Sequence, residues 1–254
     1  VPRVPFLGET DMRFFHEIRL RKVDSTSAFL RRYASIIGDK TFVSAFFQTQ
    51  GHGRLGRTWE SHKGENLLFS VICKHPNVVE NFRFLSCASA LAVCRALCDI
   101  GVSGAKIKWP NDVYVGDRKI SGILLEGLNR RGKMNAVIIG IGVNVNQTEF
   151  SSSCTEPTSI KLESGTDSDI KQVRKAVYTR LCELIRSIEA GDFSFVSEVQ
   201  SLDYLSEMNV TCELDGVLQP VQVVGINPDC SLRVISQGVE RDVVSGEITF
   251  HKKA

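Results

Sequence analysis

An α+β fold is compatible with this chain of 254 residues, and three observations carry that reading. Strand-like and helix-like runs alternate from His16 onward. Two long stretches keep an apolar stripe at helical spacing. From Asn209 the texture changes to short Val, Leu and Ile runs parted by turn residues. The alternation alone does not select α+β over other mixed arrangements. With 43% hydrophobic residues the chain buries a sizeable core, and one large plus one small domain is the natural division, with the boundary near Ser206.

In order, His16 to Val23 alternates like a strand, and Asp24 or Ser25 caps a helix running to about Ile37, with Gly38 beyond its end. Phe42 to Gln48 and Leu67 to Cys73 are apolar strands flanking a glycine-rich loop. Phe84, Leu85, Ala88, Leu91, Ala92 and Leu97 mark one long helix between Glu80 and Asp99, ended by Gly101 and suited to cover a sheet face. Ile107 to Trp109, Val113 to Val115 and Lys119 to Leu128 read as three strands joined by turns at Pro110-Asn111 and Gly116-Asp117. In the strand Ala136 to Val145, Gly140 and Gly142 fall on one face, open to a flat ligand or to close packing. The polar stretch from Gln147 to Ser168 reads as a loop with little structure of its own. Ile170, Val173, Val177, Leu181, Leu184, Ile185 and Ile188 then keep helical spacing up to Gly191. Asp215-Gly216, Asn227-Pro228-Asp229 and Gln237-Gly238 predict closely spaced hairpins, as in a small barrel.

Composition narrows the function. Basic and acidic residues number 31 and 29 and are well mixed, so the broad positive footprint that duplex DNA binding needs is absent. Eight cysteines at irregular spacings, without CxxC pairs, point to free thiols and a reducing compartment; Cys94 and Cys98, four apart, read as buried on an apolar face. Five scattered histidines make a zinc site improbable. There is no signal peptide, apolar span or internal repeat. The chain begins at Val1 rather than methionine, so upstream residues are not excluded.

Chemistry concentrates in two motifs. Gln48 to Trp59 sets Gly51, Gly53 and Gly56 beside Arg54, Arg57 and Trp59. Glycines free the backbone for positive φ and uncover its N–H groups, and guanidinium groups bond phosphate bidentately, so the loop suits a clamp for a nucleotide or acyl phosphate. A solvated basic loop has the same composition. The second motif, from Lys106 to Gly127, presents Lys108, Asn111, Asp112 and Lys119 from one sheet region, and Gly122 admits a close approach to the backbone.

Together, in this order, the Gly-Arg loop with its Trp, the Lys-Trp-Pro-Asn-Asp turn and the Arg-Lys-Ile-Ser-Gly-Ile-Leu strand resemble the biotin protein ligase family. Val23 to Thr26, Gly64 to Ser70, Val137 to Asn146 and Ser245-Gly246-Glu247 extend the resemblance from about Phe14 to Phe250. It implies a mixed sheet backed by helices, related to class II aminoacyl-tRNA synthetases, and a small C-terminal SH3-like β-barrel. The implied division is an N-terminal extension over 1–13, a catalytic domain over 14–206 and the barrel over 207–254. It also implies the short form of the family, since only about fourteen residues precede the catalytic region where repressing members carry a helix-turn-helix of about sixty.

The implied reaction joins biotin to ATP, giving biotinyl-5′-AMP and pyrophosphate, and then transfers biotin to a lysine on the biotin-carrier domain of a carboxylase. Two anions must meet in the first step, so fixed positive charge is needed where charge develops. The resemblance assigns catalysis to Lys119, Arg54, Arg57 and Asp112. Lys119 belongs on the biotin carboxyl and α-phosphate, Arg54 on the phosphate and loop closure, and Arg57 on the phosphate chain. Asp112 is the candidate for arranging Mg²⁺ or a cationic partner. It assigns ATP binding to Arg54, Arg57, Trp59, Asn111, Lys119 and Asn144, with Trp59 packing on or covering the adenine. Biotin contacts fall to Ser25, Thr26, Gln48, Gly51, His52, Arg54, Lys119, Gly122, Gly140 and Gly142, the pocket being mainly apolar with few directed bonds; Ser25 and Thr26 also serve as helix caps.

His52 departs from the family pattern, which has Arg there, and histidine need not carry charge at neutral pH. Lipoate-protein ligase shares the acyl-adenylate chemistry and is the rival reading. A non-catalytic protein that binds biotinyl-adenylate is the other, against which Lys119, Arg54 and Arg57 stand. No nucleic-acid or membrane partner is expected, the oligomeric state is open, and the expected location is cytoplasmic or mitochondrial.

Overall fold

The fold follows from a computed structural model, which describes residues 16–151, 156–244 and 248–249. The N-terminal extension and Ser245-Gly246-Glu247 lie outside these residues. Strand β1 (His16–Leu20) leads into helix α1 (Thr26–Tyr33), whose N-cap is Ser25, its hydroxyl accepting from the Ala28 N–H at 3.4 Å. The helix ends at Ala34, short of the expected Ile37. Strands β2 (Thr41–Ala45) and β3 (Asn66–Cys73) are buried along their whole length.

A short helix not read from sequence, α2 (Pro76–Glu80), with proline in its first turn, precedes the long helix expected between Glu80 and Asp99, which is α3 (Arg83–Asp99). Cys94 is buried on α3 but Cys98 is exposed, so the pair does not share an environment. Strands β4 (Ala105–Lys108), β5 (Asp112–Val115), β6 (Arg118–Arg130) and β7 (Lys133–Asn144) follow. The stretch read as an unstructured loop contains α4 (Ile160–Ser164), capped by the Ser159 hydroxyl accepting from the Leu162 N–H. Helix α5 (Ile170–Glu189) is capped by Asp169 and closed by Gly191 at φ 73°. The short α6 (Val196–Ser201) was not legible. Strands β8 (Asn209–Leu214), β9 (Val217–Ile226), β10 (Leu232–Ser236), β11 (Val239–Val243) and β12 (Ile248–Thr249) form the expected run of hairpins.

Seven strands make one mixed sheet in the order β1-β2-β3-β7-β6-β5-β4, in which only β1 and β2 run parallel; the last five strands form an antiparallel sheet consistent with an SH3-like barrel. On one face of the large sheet, Phe69, Ile141, Ile139 and Val143 pack beneath α3 and α5 in the main core. Such side chains contribute roughly 1.5–3 kcal/mol each on burial. On the other face α1 lies over Val43, Ile72, Ala136 and Ile138, so it covers one end and aims its N-terminus at the uncovered remainder.

Backbone bonds cover the β4 edge, and a side-chain bond ties the large sheet to the C-terminal one. The Ile107 N–H donates to the Leu202 carbonyl (2.8 Å) and the Tyr204 N–H to the Ile107 carbonyl (2.9 Å), which closes the β4 edge. The Trp109 indole, buried after a cis Trp109–Pro110 bond, donates to the Cys230 carbonyl at 2.8 Å.

Candidate active site

Registered partners share a face, so one row runs across five strands: Leu68, Gly142, Gly122, Asp112 and Lys108. The next row holds Ser70, Gly140 and Leu124. Three missing side chains therefore open the centre of the uncovered face into a cavity of about 920 Å³. The glycines are required by what approaches them. A Cβ on Gly142 would lie 2.4 Å from Trp59 Cε2, one on Gly122 2.9 Å from Trp59 Cζ3, and one on Gly140 2.8 Å from Ser27 Oγ.

Trp59 thus lies flat on the Gly122–Gly142 pair, with Lys119 Nζ 5.7 Å from its ring centroid. Its Nε1 is buried without a hydrogen-bond partner among the described residues, which makes this seat cheap to leave.

At one end of the cavity the start of α1 builds a polar cluster. Gln48 Oε1 accepts from both the Thr26 N–H (2.8 Å) and the Thr26 hydroxyl (2.9 Å), and the Ser70 hydroxyl bonds those of Thr26 (2.7 Å) and Ser27 (2.8 Å). Ser27 and Ser70 were not among the expected site residues; the register that brings them together is long-range. Ser25, Thr26 and Gln48 line the cavity here.

The Gly-Arg loop folds on itself. His52 and Thr58 form an isolated antiparallel bridge, the Gly53 N–H donates to the Arg57 carbonyl (2.7 Å) and the Trp59 N–H to the Gly51 carbonyl (3.0 Å). The glycines differ in what they supply. Gly56 has φ 73° and Gly53 an extended φ of −110°, while Leu55, not a glycine, sits at φ 55°. Gly51 has no positive φ; it is needed because a Cβ would come 2.4 Å from the Trp59 carbonyl oxygen. His52 and Arg57 are exposed, Arg54 half-buried.

The charged groups converge on the opposite side. Lys119 Nζ pairs with Asp112 Oδ1 at 2.7 Å, and Arg54 Nη1 donates to Asn111 Oδ1 at 2.9 Å. Asn111 is itself held by β6: its Nδ2 donates to the Ile123 carbonyl (2.9 Å) and its carbonyl accepts from the Ile123 N–H (2.8 Å). Burial pulls the Arg54 guanidinium below its ordinary pKa, with Asp112 opposing and Arg57 adding to the shift. Lys108 is buried, its Nζ 3.3 Å from the Tyr114 hydroxyl. Burial pulls its pKa down to about 8; Asp112 works against this while Lys119 and Arg57 push the same way. Asn144, also buried, donates from Nδ2 to the Thr158 carbonyl at 2.9 Å.

The segment read as loop has a part here. The Lys119 N–H donates to the Glu156 carbonyl and the Thr158 N–H to the Lys119 carbonyl, each at 2.8 Å, which fixes the Lys119 backbone from outside the sheet. The described residues do not fit a resident metal. No group of three His, Cys, Asp or Glu side chains among them could hold one, and Asp112 is already paired with the Lys119 ammonium, the cationic partner of the two alternatives.

An apolar, glycine-floored chamber with a polar cluster at one end and paired cations at the other is built to hold a small acid beside a phosphate. Comparisons with known proteins agree. A model described as the Biotin/lipoate A/B protein ligase family matches residues 21–144. A biotin protein ligase from Aquifex aeolicus, solved in complex with biotin and ATP, superposes with a TM-score of 0.82 at 30% identity, covering 92% of this chain and 97% of that one. The bifunctional ligase/repressor BirA of Escherichia coli is 28% identical over 241 residues, 90% of this chain and 72% of that protein. The biotin–[acetyl-CoA-carboxylase] ligase of Paracoccus denitrificans is 33% identical over 153 residues, 58% of this chain and 63% of that protein. This chain belongs to the biotin protein ligase family.

Proposed function

We infer that the chain is an ATP-dependent biotin protein ligase. Biotin and ATP are its substrates, and the acceptor is a lysine on the biotin-carrier domain of a carboxylase. The observation that carries this reading is the Lys119–Asp112 pair at 2.7 Å beside the Gly122–Gly142 floor. A biotin carboxylate oxygen attacks the α-phosphorus, a C–O–P bond forms, and the P–O bond to pyrophosphate breaks, the electron pair leaving with pyrophosphate. Asp112 anchors the Lys119 ammonium between the two anions, and Asn111 holds Arg54 where it offsets the charge on the phosphate. Arg57, exposed on the loop, closes on the phosphate chain. Trp59 leaves its glycine seat and covers the nucleotide, which admits the biotin ring and tail between Gly122, Gly140 and Gly142. Thr26, Ser25 and Gln48 take the ureido group, and Asn144 faces the adenylate. His52 and Gly51 shape the loop backbone over biotin. Mg²⁺ arrives as the counter-ion of ATP.

The catalytic unit is proposed to run to about Ser206. No helix among the described residues is long and apolar enough to cross a membrane, and the seven described cysteines are free thiols. We place the protein in a reducing compartment, cytoplasmic or mitochondrial. No nucleic acid takes part.

Biotin-dependent exchange of labelled pyrophosphate into ATP tests the first step without an acceptor, with lipoate and octanoate run in parallel. Exchange with biotin alone, lost in Lys119→Ala, is the expected outcome. Exchange with lipoate in preference to biotin moves the chain to lipoate ligation, and none with any acid leaves a binding protein.

A further inference from the structure

The acceptor lysine has to reach the carbonyl of an adenylate held in the main cavity. Strand β6 runs from Arg118 to Arg130, but its pairing with β5 ends at Gly122, where Asp112 is the partner. From Ile123 onward β6 has β7 on one side and a notch on the other. The Asn111–Ile123 backbone and side-chain bonds close only the first step of that notch. A second cavity of about 590 Å³ opens there, between the start of α3, the Trp109–Asn111 turn and the C-terminal sheet. It shares Arg54, Trp109, Pro110, Asn111 and Ile123 with the main cavity, so the two chambers meet around the sheet edge.

We propose that this second cavity is the route by which the acceptor lysine reaches the adenylate, with the Arg54–Asn111 hydrogen bond as its inner wall. The inference rests on the ligase reading above. The charges along the route are graded. Glu80 and Asp229 stand at the cavity with Arg83, which pairs with Asp229 at 3.5 Å; Glu80 remains to attract an ammonium. Phe82, Trp109, Ile123 and Leu125 line the middle, and Arg54 stands at the inner end. Apolar walls and a facing guanidinium both favour the neutral amine over the ammonium, so a proton is given up to water near the mouth. The neutral nitrogen then attacks the carbonyl. A C–N bond forms, the C–O bond to phosphate breaks, AMP leaves with the electron pair, and the surplus proton on nitrogen passes to solvent.

The test separates the two half-reactions in the full chain, using the biotin-carrier domain of an acetyl-CoA carboxylase as acceptor. Leu125→Trp fills the route. Pyrophosphate exchange is expected within about twofold of the unaltered chain, transfer to the carrier domain at least tenfold slower, and cleavage of the bound adenylate by hydroxylamine, small enough for the remaining space, much less affected. Unchanged transfer overturns the proposal, and so does loss of exchange in the folded variant, which would put nucleotide in this cavity. Should Leu125→Trp not fold, Glu80→Lys on the exposed end of α2 decides: a severalfold higher KM for the carrier domain with exchange intact supports the route, and an unchanged KM overturns it. Absence of exchange in the unaltered chain would instead strike the ligase reading itself.

Discussion

Strand β7 carries two opposite designs on its two faces. Ile139, Ile141 and Val143 point under α3 and α5 and fill the core, while Gly140 and Gly142 point the other way and contribute nothing to packing. The same alternation recurs on β6, where Ile123 is buried in the core and Gly122 floors the cavity. Period-two geometry lets β7 hold the main core with its odd-numbered residues along its length and, beyond the even-numbered Ala136 and Ile138 that pack under α1, make room for ligand at Gly140 and Gly142. The site is made by omission on one face, and the stability lost there is supplied from the other.

If this division is correct, Ile141→Ala should act on stability alone, costing about 2–5 kcal/mol in urea unfolding through the cavity it leaves. Exchange by the fraction still folded should be unaltered; a specific loss of biotin exchange would break the comparison. Lys108, in the same row as Gly122, tests whether the open face carries a stability cost. Its proton leaves at about pH 8 in the folded chain and near 10.5 in the unfolded one. Between those values the unfolded chain binds more protons, so stability should rise with pH, by up to about 3 kcal/mol, and Lys108→Met should flatten that rise. A profile that falls across this window would contradict the burial of Lys108.

Gly142→Ala puts a methyl where Trp59 Cε2 stands at 2.4 Å and should lower exchange about tenfold, roughly 1.4 kcal/mol, with little change in unfolding midpoint. Loss of stability without loss of activity would make the glycine a packing residue after all. Arg54→Gly sharpens the boundary of the open face: adenylate should escape faster, and an unchanged off-rate would remove Arg54 from the clamp. The smallest effect is expected from His52→Arg, a change of less than about 1 kcal/mol in exchange, because His52 is exposed and pairs with Thr58 through its backbone.

How much of this was legible depended on range. Gly140 and Gly142 sit two apart, so their shared face could be read from sequence, as could the Ser25 cap and both long helices, although α3 is buried on nearly every side rather than along one stripe. That Gly122 is the registered partner of Gly142, and Lys108 the end of the same row, depends on strand pairing that no local pattern fixes. The short α2 escaped notice because five residues span little more than one turn, too few to show a period. Residues Glu156 to Thr158 read as loop because their bonds go to the distant Lys119 backbone rather than to neighbours. The α6 helix is too short for its period to register.

The chain holds two tryptophans, and their settings differ. Trp109 is 2% exposed, with its indole N–H bonded to a carbonyl. Trp59 rests on bare backbone beside a lysine ammonium, with its N–H unspent. Both indoles border the main cavity, so a titration with biotin or ATP alone reads occupancy of the chamber in intrinsic fluorescence, without a label or an acceptor, and the difference between the unaltered chain and Trp59→Phe isolates the Trp59 part.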